Sequence, residues 1–260
     1  MTAEEYLKHF YEIPTLPQLP LDDENFISNW QETEKISAIK FLENLYDKNF
    51  NFELQNVDAI KISFIQTLAG KLPSIYTESH EDFTALSSFL SNKSEIKILP
   101  KTVNAFTIPT QIRGVRHKII LVNRAPYSNI PAEKFNLTTE DWMEKSQKIR
   151  LRHESAHYET LRLFGGMKNH ALDEILADAV GQIAAFGNFS ANRQRIFFGL
   201  ENGTCNGRLQ FYCQKVFPND REKIYKSVDK ILDKIEKEIE NCNDLEIICK
   251  IAGKSIFDRL

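Results

Sequence analysis

The sequence predicts an α+β fold that is predominantly helical, with one small sheet. Apolar residues recur at helical spacing along most of the chain, while two stretches between residues 96 and 123 read as strands. The 260 residues are 42% hydrophobic and 27% charged, the balance of an ordinary globular protein with a sizeable core. Residues 1–95 are expected to form a helical N-terminal region. Residues 96–260 carry the chemical motifs and the C-terminal helices, the whole forming one compact unit.

Thr2-Ala3-Glu4-Glu5 has the form of a capping box and opens a short helix through about Tyr11. Pro14, Pro17 and Pro20 then hold the chain extended. Over residues 22–46 the set Phe26, Ile27, Trp30, Ile36, Ile39, Leu42 and Leu45 suits a helix with a break near Thr33. Val57, Ile60, Phe64, Ile65 and Leu68 suggest another over 56–71, and residues 81–90 a third. Residues 96–99 with 103–108, and then 118–123, read as strands joined through the basic stretch Arg113 to His117, expected to be a solvated turn, with Arg113, Arg116 and His117 binding a substrate carboxylate as the alternative. Residues 138–164 read as one long helix, with Thr138 or Thr139 as N-cap, acidic residues in the first turn and Gly165-Gly166 at its end. A mostly apolar helix over 171–186 follows, broken in character only by Asp173, Glu174, Asp178 and Gln182. After Gly187 the chain returns to helix, with an amphipathic charged one over 220–241.

The long helix contains His153-Glu154-Ser155-Ala156-His157, an H-E-x-x-H motif. Histidines four apart share one helix face, about 6 Å apart along the axis, which suits two ligands of one Zn²⁺. Glu154, one residue round from His153, can reach a water without taking a ligand position. Seventeen residues past His157 stands Glu174-Ile175-Leu176-Ala177-Asp178, whose first carboxylate completes a three-ligand set and leaves a fourth position open. His170 and Asp173 are the alternatives as third ligand. The extended H-E-x-x-H pattern with a glycine and a third histidine is excluded, since Thr160 and Leu163 occupy those positions.

H-E-x-x-H followed by E-x-x-x-D resembles the gluzincin metallopeptidases, and the form Glu174-x-x-Ala177-Asp178 is closest to the CAAX-prenyl-protease-like members and their minimal soluble relatives. Val103-Asn104-Ala105-Phe106 resembles the Asn-Ala-Phe strand found before the zinc helix in those proteins. The resemblance covers residues 100–187. It implies a zincin-like core in which His153, His157 and Glu174 bind Zn²⁺, Glu154 is the general base and Asp178 orients a ligand histidine. It also implies that a strand edge beside the zinc helix holds an extended peptide; Asn104 to Thr107, beginning with Asn104 and Ala105, is the candidate edge, and an internal strand is the alternative. The chain departs from that pattern in a shorter gap between His157 and Glu174, in the charges of Arg150 and Glu159, and in having no histidine after His170. Without such a histidine, Tyr212 and Arg208, four apart, are the candidates to stabilise an oxyanion.

The expected function is a zinc-dependent hydrolase acting on a peptide or protein substrate. The alternative is a zincin-like protein that has lost catalysis and serves in binding or structure. A net charge of −3 gives no case for a nucleic-acid partner. No apolar run approaches the ~20 residues that span a bilayer, and an acidic N-terminus without an apolar core points to the cytoplasm. Cys205, Cys213, Cys242 and Cys249 lack C-x-x-C spacing and are expected to be free thiols.

Overall fold

The computed structural model describes residues 1–30, 36–166 and 170–260. Along the chain come helix α1 (Ala3–Leu7), a 3-10 turn (Asn25–Trp30) and α2 (Ala38–Tyr46). Strands β1 (Lys61–Thr67) and β2 (Gly70–Thr77), helix α3 (His80–Leu90) and strands β3 (Ala105–Ile112) and β4 (Val115–Asn123) follow. The remainder is α4 (Thr139–Phe164), α5 (Ala171–Phe186), α6 (Ala191–Phe198), the ribbon β5 (Leu200–Glu201) and β6 (Thr204–Cys205), α7 (Leu209–Tyr212), α8 (Arg221–Glu238), α9 (Asp244–Ala252) and α10 (Ile256–Arg259). The fold is thus α+β, with a small mixed sheet. By contacts the chain divides into two units, Met1–Pro17 with Ala156–Leu260, and Gln18–Ser155; the division falls inside α4, which runs through it as one helix.

The unit Gln18–Ser155 is built on a four-stranded sheet of order β1-β2-β4-β3. The β1/β2 and β3/β4 pairs are antiparallel, while β2 and β4 run parallel and are linked through α3. The β3/β4 hairpin turns on Arg113 and Gly114, both with positive φ (47° and 84°), the conformation that two-residue hairpin loops require. Alternation along the strands sends Ile108 and Ile112 of β3, with Ile119 and Leu121 of β4, into a core against Trp30, Leu42, Phe83, Leu86 and Leu90. The opposite face of the same strands carries Ala105, Thr107 and Pro109, paired with Val122, Ile120 and Lys118. Asn123 donates its backbone N–H to the Asn104 carbonyl at 2.8 Å, so even-numbered residues of β3 bond to β4 and odd-numbered ones turn their backbone outward. Pro109 therefore occupies an outward position, where its missing N–H costs no ladder bond.

Among its described residues, the regular structure of the other unit is helical apart from the β5/β6 ribbon. Its centre is α5, whose residues Leu172, Ile175, Leu176, Ala179 and Val180 are all buried and which packs along α9. Gly187, at φ 78°, caps α5 in the left-handed conformation that a Cβ would disfavour. Thr2 and Glu5 form the expected capping box of α1, though the helix stops at Leu7 and not near Tyr11. Asn243 and Glu246 form a second capping box at α9.

Several expectations are corrected. Residues 56–71 are not a helix: a β-branched, aromatic run at Lys61–Thr67 pairs with β2 around a turn before Gly70 (φ 88°). The period that suggested a helix arises because β1 is an edge strand, with Phe64 38% exposed, so its apolar residues need not all face one core. Residues 96–99 form no strand, and Ile98 stands 85% exposed. His117 is not in a solvated turn but buried, stacked on Phe26 at 4.5 Å between ring centroids. The helix expected over 22–46 is a 3-10 turn and the separate α2; its break near Thr33 lies outside the described residues. Among the described residues no helix is long and apolar enough to cross a membrane.

Leu121 is wholly buried in the interior strand β4, where a cavity is costly. Leu121→Ala is expected to destabilise the protein by about 2–5 kcal/mol. Urea denaturation should show a lower midpoint with an unchanged slope.

Candidate metal centre

Thr138 precedes α4 and caps it, its side chain accepting the backbone N–H of Asp141 at 3.1 Å, and the helix runs unbroken through the H-E-x-x-H segment. Its continuity puts His153 and His157 one turn apart on one face. Both are buried, at 7% and 8% exposure. Glu174, on the first turn of α5, is buried too, and its Oε1 lies 3.5 Å from His157 Nε2. The ligand atoms of His153, His157 and Glu174 all fall within 4.8 Å of one another. Two imidazoles and one carboxylate, buried and convergent, are donors of the kind that transition metals accept. These residues could hold a metal ion.

The side chains around this set fix its members. Tyr127 Oη meets His153 Nδ1 at 3.0 Å, which leaves Nε2 as the nitrogen for a metal. Tyr127 is itself held by α4: its backbone N–H donates to Ser146 Oγ at 2.9 Å, and Arg150 donates to the carbonyls of Ala125 and Pro126 just before it. Ser146, Arg150 and His153 stand at i, i+4 and i+7, so one face of α4 receives the whole Tyr127 loop. The Arg150 charge, unexpected on such a helix, is thereby accounted for: it is buried against two carbonyls.

Helix α5 carries Glu174, Asp178 and Gln182 four residues apart, a polar stripe on a helix whose one other polar residue is Asp173. Asp178 is wholly buried; it pairs with Arg208 and accepts from Gln194 Nε2 at 2.6 Å. Gln182 donates to Gln194 Oε1 at 2.9 Å and accepts from Ser190 N and Arg193 Nε, each at 3.0 Å. Asp178 and Gln182 are thus joined through Gln194. Burial pushes the Tyr212 phenol well above its ordinary range, and its hydrogen bond to Glu174 acts in the same direction. Tyr212 therefore keeps its proton as a donor to that carboxylate. Of the two residues expected to face an oxyanion, Arg208 is committed to Asp178 and Tyr212 to Glu174.

Glu154 is partly exposed, and Thr107 Oγ1 donates to its Oε2 at 3.0 Å. Thr107 lies on β3, which is an edge strand, with its backbone turned outward. Lys118 is also near: burial pulls its ammonium below the usual lysine range, and the Glu154 charge opposes that shift. Ala105 begins β3, half-buried, opposite Val122. Asn104 serves the fold, donating to the Lys101 carbonyl at 3.0 Å and accepting from Asn123 Nδ2 at 2.9 Å. Cys205, Cys213, Cys242 and Cys249 are free thiols.

The model of a family of unknown function, DUF7005, matches residues 107–252, more than half of the chain. The chain belongs to that family, and the matched span runs from Thr107 through both site helices to the end of α9. No curated protein and no solved structure matches this chain.

Removing the tyrosine hydroxyl isolates the orienting contact on His153. If His153 holds a metal, Tyr127→Phe is expected to lower the affinity of this set for added Zn²⁺ about 10–100-fold, as loss of a ligand's supporting hydrogen bond does. Competition with a chromophoric chelator measures it; unchanged affinity would leave Tyr127 a packing residue only.

Proposed function

We propose that this chain is a zinc-dependent hydrolase, a peptidase of gluzincin type with a zincin-like core. The observation that carries the reading is the convergence of His153, His157 and Glu174 beside a partly exposed Glu154 held at a sheet edge. A Zn²⁺ held by the three ligands would supply Lewis-acid polarisation and a lowered pKa for bound water. Glu154 acts as general base. It takes a proton from the attacking water and hands it to the leaving amine, with Thr107 fixing one carboxylate oxygen so that the other faces the reaction. The outward backbone groups of Ala105 and Thr107 bind an extended peptide or protein substrate by strand addition.

Tyr212 and Arg208 act in this reading through Glu174 and Asp178. They hold those carboxylates in place, a different role from the direct oxyanion contact that the sequence suggests. Asp178, one turn after Glu174, completes the supporting shell. Four free thiols agree with a reducing, cytoplasmic setting.

Glu154→Gln is expected to keep the bound zinc and to lower peptide hydrolysis about 10²–10⁴-fold. Metal content by elemental analysis and chelator-sensitive cleavage of a peptide library measure the two halves. Full turnover by Glu154→Gln on a cleaved peptide would remove Glu154 as the base.

A further inference from the structure

One polar residue of α5 stands outside the stripe of Glu174, Asp178 and Gln182. Asp173 is 1% exposed, and among the described residues neither of its carboxylate oxygens has a hydrogen-bond partner. The other buried aspartates are differently placed. Asp82 accepts the backbone N–H groups of Gln55 and Asn56 at 2.6 and 3.0 Å, and Asp178 has Gln194 and Arg208. A carboxylate out of water without such bonds is costly unless a cation compensates it. Two imidazoles face Asp173. His9 Nε2 is 3.7 Å from its Oδ2, too long for a hydrogen bond, and the His9 and His170 rings lie 4.3 Å apart by centroid.

We propose that His9, His170 and Asp173 form a second site for a divalent transition metal of the zinc class. The three ligand atoms lie within 4.8 Å of one another, the same convergence as in the His153 group. Two nitrogens and one carboxylate select a borderline cation over Mg²⁺ or Ca²⁺, which take oxygen donors. His170 caps α5, its Nδ1 accepting the Leu172 N–H at 3.0 Å while its Nε2 meets the Tyr6 carbonyl at 2.9 Å. Coordination replaces one of these two bonds and brings a cation into direct contact with Asp173, which His9 approaches only to 3.7 Å. All three residues belong to one unit, so the metal ties the N-terminal segment at His9 to the first turn of α5. Glu174 is the next residue on that turn, and occupancy of this site therefore stiffens the start of the helix that presents it. The site is structural, and it stands independently of the peptidase reading.

The test strips the full-length chain with chelator, titrates it with Zn²⁺ alone and counts bound metal per chain after gel filtration. Two zinc ions are expected for the unmodified chain. One is expected for Asp173→Asn, for His9→Gln and for the double variant His153→Ala with His157→Ala. His9→Gln, on a short N-terminal segment, keeps the test decisive if Asp173→Asn disturbs the buried helix start. If Asp173→Asn and His9→Gln bind as much zinc as the unmodified chain, the site does not exist. A single zinc kept in the double variant and lost in His9→Gln supports this site and removes the peptidase reading instead. A single zinc lost in the double variant and kept in His9→Gln overturns this site and leaves that reading standing.

Discussion

A carboxylate cannot remain charged and unpaired inside an apolar helix bundle, and α5 buries three of them. Much of the arrangement described above answers that constraint. Asp178 draws in Arg208 and Gln194, and Gln194 in turn engages Gln182, which fixes α6 through Ser190 and Arg193. Glu174 draws in Tyr212 and lies against His157. The four-residue period of the stripe puts Asp178 and Gln182 on one face, so one residue, Gln194, serves both. Such a network is high in consequence: removing one member leaves a buried charge without its counterpart, which costs more than the bond itself.

The parts of this molecule that could be read from the sequence are those set by local chemistry. The bounds of α4 and α5 follow from Thr138, from Gly165 and Gly187, and from the apolar run between them. The capping box at Thr2 and the hairpin at Gly114 are equally local. His153, His157 and Glu174 were nameable because helical geometry fixes two of them and a carboxylate on an apolar helix stands out. Tyr127 was not, since it sits in a loop 26 residues before His153 and shows no pattern of its own. Its only trace is the spacing of Ser146, Arg150 and His153 on α4. Thr107 was inside the strand singled out, but its pairing with Glu154 spans 47 residues and depends on which face β3 turns to α4.

The β1/β2 hairpin was misread for a related reason. Edge strands hold few residues that must be buried, so their alternation is weak, and Val57, Ile60, Phe64, Ile65 and Leu68 imitate a helix by accident of spacing. Sheet membership came from β2 pairing in parallel with β4, a contact across more than forty residues. No window short enough to show a period contains it.

Pro109 gives the outer edge of β3 a further property. An edge strand with an unbroken row of donors templates pairing with any other exposed strand, including that of a second copy, and so invites aggregation. Here the row runs through Ala105 and Thr107, stops at Pro109, and resumes at Gln111. A short extended segment can bond along the first part, beside Glu154. A long strand cannot be matched over its whole length. The same residue thus limits both how far an added chain can zip along the edge and how readily copies of this protein can stick to one another through it.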